Sequence, residues 1–336
     1  MTREDRALLN RREILAGTTA AVLASCTRLG AADVAEQSSE TAVKELYESL
    51  SETQRSQMCF DWNHVDPDRG LLRGYVSNNW RITPHAIRSS FYSRKQQHLV
   101  HDIFKGLIHP DWYGRFLKQS KDDNQGQPWG EVQGLAIFGQ PGSDQFECVI
   151  TGRHMTLRAD GNTVEHAAFG GPIFYGHTIG TEPADHEGNI FWYQGLAANK
   201  VCQMLDGTQR EKALVDTLPG KEGLVGFRGL NESYPGIPVS ELADDQQAEL
   251  QKVLGALVEP FRTEDRDEVR SCLEKQGGLQ KCSLAFYTAG DIGDDGVWDN
   301  WRLEGPSFVW YFRGTPHIHV WVNVADDPSV PYRPKQ

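Results

Sequence analysis

Pro316-His317-Ile318-His319-Val320-Trp321-Val322-Asn323-Val324 is a strand-forming run that carries two histidines two residues apart. Successive side chains of a strand point to opposite faces. Ile318, Val320, Val322 and Val324 therefore share an aliphatic face, while His317, His319, Trp321 and Asn323 share the other, which reads as a working surface. Two imidazoles side by side make either a metal chelate or a proton-handling pair. The competing explanation is a pair of half-exposed histidines on a plain sheet face.

Working outward from this run, Leu279 to Tyr287 and Trp301 to Phe312 read as two further strands close to the C-terminus. Upstream, Val132 to Phe138, Gln145 to Leu157 and Thr163 to Phe169 alternate as strands do, with Asp160-Gly161 as the turn between the last two. Helical spacing governs other stretches. Val43, Leu46, Tyr47 and Leu50 recur along one helix over 40–59, and Asp61 to Phe91 reads as irregular or short-strand structure. Ser93, with Gln96 three residues on, caps a helix whose stripe is Leu99, Val100, Ile103, Phe104, Leu107 and Ile108, ending near His109-Pro110. Phe191 to Leu214 forms another, with Leu196, Ala197, Val201, Met204 and Leu205 on its core face, and Leu242 to Phe261 and Asp265 to Lys275 complete the set. The expected architecture is α+β: one large domain with a mixed, largely antiparallel sheet and helices packed on it. No repeats or low-complexity tracts stand out.

The first residues indicate where the protein operates. Asn10-Arg11-Arg12-Glu13-Ile14-Leu15 precedes a short apolar run that ends at Cys26, the layout of a twin-arginine export signal. Leu23 to Cys26 has the form of a lipobox, whose cysteine is acylated and becomes the mature N-terminus. Residues 1–26 are thus expected to be a twin-arginine, lipoprotein-like signal peptide, 27–39 a polar tether, and 40–336 the folded domain. The apolar run is too short for a bilayer span, which needs roughly 20 residues. The expected location is periplasmic or on the cell surface, with the membrane as a partner through a lipid anchor at Cys26.

The net charge of −12, from 34 basic and 46 acidic residues, repels phosphate backbones and argues against nucleic-acid binding. Nine tryptophans, 33 glycines and 16 prolines suit a β-rich body with many turns. Cys59, Cys148, Cys202, Cys272 and Cys282 form no C-x-x-C pair. An oxidising compartment would permit a disulfide between Cys272 and Cys282, which flank Gly277-Gly278.

A second chemical candidate is Thr151-Gly152-Arg153-His154-Met155. In an unbroken strand His154 shares a face with Phe146, Cys148 and Ile150, points inward and needs a partner, which a main-chain carbonyl would satisfy. A bulge at Gly152 would change the face.

These features resemble those of a bacterial family known as domain-of-unknown-function family 3500. The resemblance rests on Arg302, Gly305-Pro306, the apolar strand Phe308 to Phe312 and the His317-to-Trp321 run, with the Gly152-to-His154 step. Gln54-Arg55, Gln96-Gln97, Gln209-Arg210 and Gln246-Gln247 also fit, so the likeness extends from Glu40 to the end. It departs at Arg153, where a second histidine is frequent, and at Val322-Asn323, which replaces an Arg-Asp. Either departure could remove a metal ligand or the group behind one. The resemblance implies no established reaction.

His154, His317 and His319 make a three-histidine set if their strands are neighbours. Three neutral imidazoles at about 2.0–2.1 Å leave an open position on zinc, and the same donors suit copper or non-haem iron. His177, in Gly176-His177-Thr178, is a candidate fourth donor or catalytic group and His186 a fifth; His98 and His101 read as the polar edge of a helix. Arg302 could hold an anionic substrate group bidentately, with Trp310 and Trp321 as an apolar wall. The reading is an exported, lipid-anchored metalloenzyme acting on a small molecule, with oxidoreductase chemistry ahead of hydrolysis. The alternatives are a hydrolase with His317 or His319 as general base, and a metal-free binding or scaffolding lipoprotein. Nucleophile-elbow, phosphate-loop and dinucleotide motifs are absent from the chain.

Overall fold

Ser51, Ser93 and Asp206 each precede a helix with glutamine three residues on, and each makes both hydrogen bonds of a capping box. The structure, a computed structural model, describes residues 38–330 except 162, 163, 165, 178–187, 221–223, 231 and 292–296. The expected signal peptide, most of the tether and His186 lie outside the described residues.

The helices are α1 Ser39–Ser49, α2 Glu52–Met58, α3 Arg94–Leu107, α4 Pro110–Asp123, α5 Trp192–Met204, α6 Gly207–Ala213, α7 Asp244–Val258 and α8 Thr263–Lys275. The strands are β1 Cys59–Phe60, β2 Val65–Asp66, β3 Gly70–Leu71, β4 Gly134–Gly139, β5 Phe146–Gly152, β6 Met155–Ala159 and β7 Ile173–His177, then β8 Leu214–Val215, β9 Ile237–Pro238, β10 Ser283–Tyr287, β11 Asn300–Gly305, β12 Phe308–Arg313 and β13 Ile318–Val324. Among the described residues no helix is long and apolar enough to cross a membrane.

The main sheet runs β1-β4-β5-β6-β7-β13-β12-β11-β10-β8, with β9 beside β10. Only β1 with β4 and β8 with β10 pair in parallel. This is the expected α+β domain with a mixed, mostly antiparallel sheet.

That order reads the same from either edge. With the short β2, β3 and β9 set aside, each half runs helix, helix, short strand, helix, helix, four strands, so α1 to β7 is repeated by α5 to β13. One offset in numbering takes Tyr47 to Cys202, Gln54 to Gln209, Arg55 to Arg210, Cys59 to Leu214 and Arg73 to Arg228. Another takes Ile108 to Phe261, Asp123 to Gln276, Gly152 to Gly305, His154 to Ser307 and Met155 to Phe308. The contacts repeat as well. Arg55 donates to the Tyr47 carbonyl at 3.0 Å and Arg210 to that of Cys202 at 3.4 Å. The Gln54 and Gln96 amides bond reciprocally at 3.0 and 3.1 Å, and those of Gln209 and Gln246 at 2.9 and 2.7 Å. The halves meet where β7 pairs with β13, and Ile108 bridges to its own counterpart, Phe261. The chain is therefore an internal duplication, contrary to the expectation of no repeats. The residues have diverged so far that little beyond the glutamine and arginine pairs survives as identity.

Ile150, Leu157, Tyr175, Val320, Trp310 and Trp301 pack beneath the helices on one face. Burying each such side chain contributes about 1.5–3 kcal/mol. The other face is covered too, by irregular segments that bring Val76 and Val225 onto Phe174, Tyr311 and Trp321. It is therefore not an exposed surface: Trp321 is buried and Asn323 donates to the Val225 carbonyl.

Several expected elements are divided. Leu50 and Leu205 take extended dihedrals, and Ser51 and Asp206 then cap new helices, so the two long helices over 40–59 and 191–214 become pairs. Leu196 is 47% exposed, not core. The strand from Trp301 to Phe312 is the β11–β12 hairpin, turning at Pro306-Ser307, and the strand from Gln145 to Leu157 is the β5–β6 hairpin, turning at Arg153-His154. The helix from Arg94 ends at Leu107, close to the expected His109-Pro110, and Pro110 then starts α4, because the first helical position needs no N–H partner. Among its described residues, Thr163 to Phe169 forms no strand; Ala167 makes one bridge to Ala325 and a 3-10 turn follows. Cys272 and Cys282 are free and buried, without the permitted disulfide.

Candidate metal centre

The β5–β6 turn has only Arg153 and His154 between its last paired residues, and His154 adopts φ +51°. A non-glycine residue held there costs on the order of 1–2 kcal/mol. Two contacts hold it. The His154 N–H donates to the Asn78 carbonyl at 2.8 Å, and Arg153 bridges to Asn79, so residues 78–80 run alongside the hairpin tip. The turn swings the ring away from Cys148 and Ile150 and sets it beside Phe174 and His319. His154 thus faces the sheet side opposite to that expected of an unbroken strand.

His319 sits on β13 with Gly176 of β7 on one side and Arg313 of β12 on the other. His317 immediately precedes β13 and is half-buried, whereas His154 and His319 are buried. The three ring centroids lie 4.5, 4.9 and 5.0 Å apart, and one nitrogen from each ring falls within 4.8 Å of the others. The structure brings together the three expected metal ligands from two distant parts of the chain, in a group that could bind a metal ion.

A hydrogen-bond chain fixes this group. Arg313 donates to Nδ1 of His319, since a guanidinium has no acceptor. The remaining His319 proton therefore sits on Nε2, which lies 3.0 Å from Nε2 of His154. His154 accepts there, and its Nδ1–H donates to the Asp123 carboxylate. Asp123 is the last residue of α4, its side chain fully buried and 3.5 Å from Arg153 Nε. Carboxylate-oriented histidine is the arrangement that aims Nε2 of metal ligands.

Burial, with Arg313, His154 and His317 nearby, drives the His319 pKa far below the usual imidazole range. Burial, helped by His154 and Arg313, pushes His317 down to about 4. Both rings therefore stay neutral, and that of His317 keeps a lone pair for a cation.

The other expected residues lie elsewhere. His177 ends β7 opposite Ile318, on the helix-covered face, outside the three-histidine group. It is fully buried, neither ring nitrogen has a hydrogen-bond partner among the described residues, and burial lowers its pKa to about 4. Arg302 lies on β11, buried against Glu304 at 3.0 Å, and Tyr311 and Trp321 intervene between it and β7. Trp310 faces the helices. His101 meets Tyr113, as a helix-edge residue should.

Asp123 and Arg313 are neighbours of the group that the linear reading missed, while Arg153 was noted there as a departure from the family pattern. The only signal for Arg313 was a charge directly after the apolar run that ends at Phe312.

The duplicated frame supplies an internal comparison. At the position matching His154 stands Ser307, which bonds to Gln276, the counterpart of Asp123, at 3.1 Å and to the Ala325 carbonyl at 2.6 Å. The hairpin tip is thus satisfied by a hydroxyl and an amide in one half. An acid and a histidine are not what this fold requires there.

Fold and site define an α+β protein built from two matching halves, with a largely buried three-histidine group where they meet. The chain belongs to the family described as protein of unknown function (DUF3500), whose model matches residues 32–326. No curated protein and no solved structure matches it.

Proposed function

We propose that His154, His317 and His319 bind one divalent transition-metal ion and that the protein is a metalloenzyme. The observation that carries this is the convergence of three imidazoles, one of them oriented by a buried carboxylate, at a hairpin tip whose counterpart holds serine and glutamine. Three imidazole ligands leave a coordination position for substrate, water or dioxygen on zinc, copper or iron. Oxidoreductase chemistry ranks ahead of hydrolysis. Among the described residues the carboxylate seen at the group, Asp123, is engaged by His154, and the neighbours Phe174 and Trp321 are apolar.

The Asp123–His154 pair also favours a second reading, a metal-free enzyme with His154 as general base. His154 Nε2 faces His319 in place of an open substrate position, which ranks this reading lower. A binding or scaffolding role for the lipoprotein comes third.

Export through the twin-arginine route and lipid anchoring at Cys26 are part of the proposal, supported by Arg11-Arg12 and the Leu23-to-Cys26 stretch. Elemental analysis of protein purified without a histidine tag tests the main reading. One equivalent of zinc, copper or iron is expected, lost in His154→Ala with the fold retained; metal-free protein that takes up none of these ions would refute it.

A further inference from the structure

Two guanidiniums flank the three histidines. Arg153 adjoins His154 at the hairpin tip, with its side chain 41% exposed, and Arg313 sits across from His319 on β12, half-buried. Against these stands the buried carboxylate of Asp123, so among the described residues at the group the guanidiniums outnumber the carboxylate before any metal arrives. A divalent ion would add two more positive charges. In a chain of net charge −12 this is a local reversal of sign.

Arg313 has a more specific role. It donates to Nδ1 of His319, and so requires that nitrogen to be bare. A metal taken by Nε2 of His319 leaves the ring proton on Nδ1, where it would face the guanidinium donor to donor. Metal entry therefore turns Arg313 away from His319. Its Nε already lacks a hydrogen-bond partner, so the released guanidinium needs an acceptor. Arg153 offers its own fork from the more exposed side.

We infer that the metal-loaded site binds an oxyanion, a carboxylate or phosphate group, with one oxygen on the open metal position and the others on Arg153 and Arg313. This rests on the metal reading and names the substrate class for it. Guanidinium forks match such groups bidentately, and apolar walls strengthen the pairing. Phe174 and Trp321, each 5.3 Å from the His319 ring, provide those walls.

The test uses the full chain loaded with cobalt(II), whose visible spectrum reports its ligands, titrated with acetate and with inorganic phosphate. Either anion is expected to shift the spectrum saturably. Half-saturation should rise about ten-fold or more in Arg153→Gln and in Arg313→Gln, with bound cobalt quantified in each. Arg313→Lys, which keeps the charge without the fork, should fall between. Bound cobalt with no spectral shift, or equal half-saturation in wild type and Arg153→Gln, would overturn the inference while leaving the metal centre standing. Failure of the wild type to bind cobalt, zinc, copper or iron would instead overturn the centre itself.

Discussion

The Nε2 atoms of His154 and His319 lie 3.0 Å apart, although the residues belong to opposite halves of a duplicated chain. Two nitrogens at about 2.0–2.1 Å from a tetrahedral ion would be separated by about 3.3 Å. A shift of a few tenths of an ångström, with the intervening proton moved to Nδ1 of His319, converts the hydrogen bond into a chelate. The ligand set thus bridges the seam between halves, where β7 meets β13.

Asp123→Asn should preserve the fold, since the amide is nearly isosteric, yet weaken the hold on His154. Zinc affinity is expected to fall by about 10–100-fold, as when other such supporting carboxylates are lost. Competition with a chromophoric chelator reads this directly. Unchanged affinity would show that Asp123 serves only the turn.

His317→Ala and His319→Ala each remove a ligand and should cost more than the Asp123 change, beyond about 100-fold. Ser307→Ala, at the matching position of the other half, should leave zinc affinity unchanged. Equal losses in all three would mean that metal binding tracks general stability.

His177 is a neutral, unpartnered imidazole in full burial, a state that costs about 1–3 kcal/mol. Its pKa in the folded chain is about 4, against 6.5 for an ordinary histidine. Between those values the unfolded chain holds the extra proton. Its contribution is therefore intact above pH 6.5 and is lost as pH falls towards 4. His177→Leu should raise stability at pH 7 by about 1 kcal/mol and remove part of the acid slope, as read by urea unfolding at pH 7 and pH 5. A variant that keeps its stability but loses activity would instead give His177 a part in the chemistry.

Gln54→Leu and Gln209→Leu each leave a buried partner amide, Gln96 or Gln246, with an unmet hydrogen bond. Both should cost about 1–3 kcal/mol, and by similar amounts, because the environments are copies. Markedly different losses in thermal unfolding would deny the equivalence of the halves.

Much of this was legible in the linear chain, for reasons that differ by residue. Ser93 with Gln96 marked a helix start because capping is local, and the alternation from Ile318 to Val324 marked a strand because its period is. His154, His317 and His319 were identifiable as candidates, but their convergence depends on a turn at Arg153-His154 that lacks the glycine or asparagine of an ordinary tight hairpin. Asp123 carried no signal, since α4 was hidden behind Pro110, read as a helix end. The duplication escaped because topology outlasts side-chain identity: Ser307 and His154 share a place in the fold and nothing in their chemistry.

X-ray absorption at the metal edge of the zinc-loaded protein tests the central claim most directly. The account predicts a first shell of three imidazole nitrogens at about 2.0–2.1 Å with one further oxygen ligand. A shell containing sulfur from any of the cysteines, or fewer than two imidazoles, would contradict it.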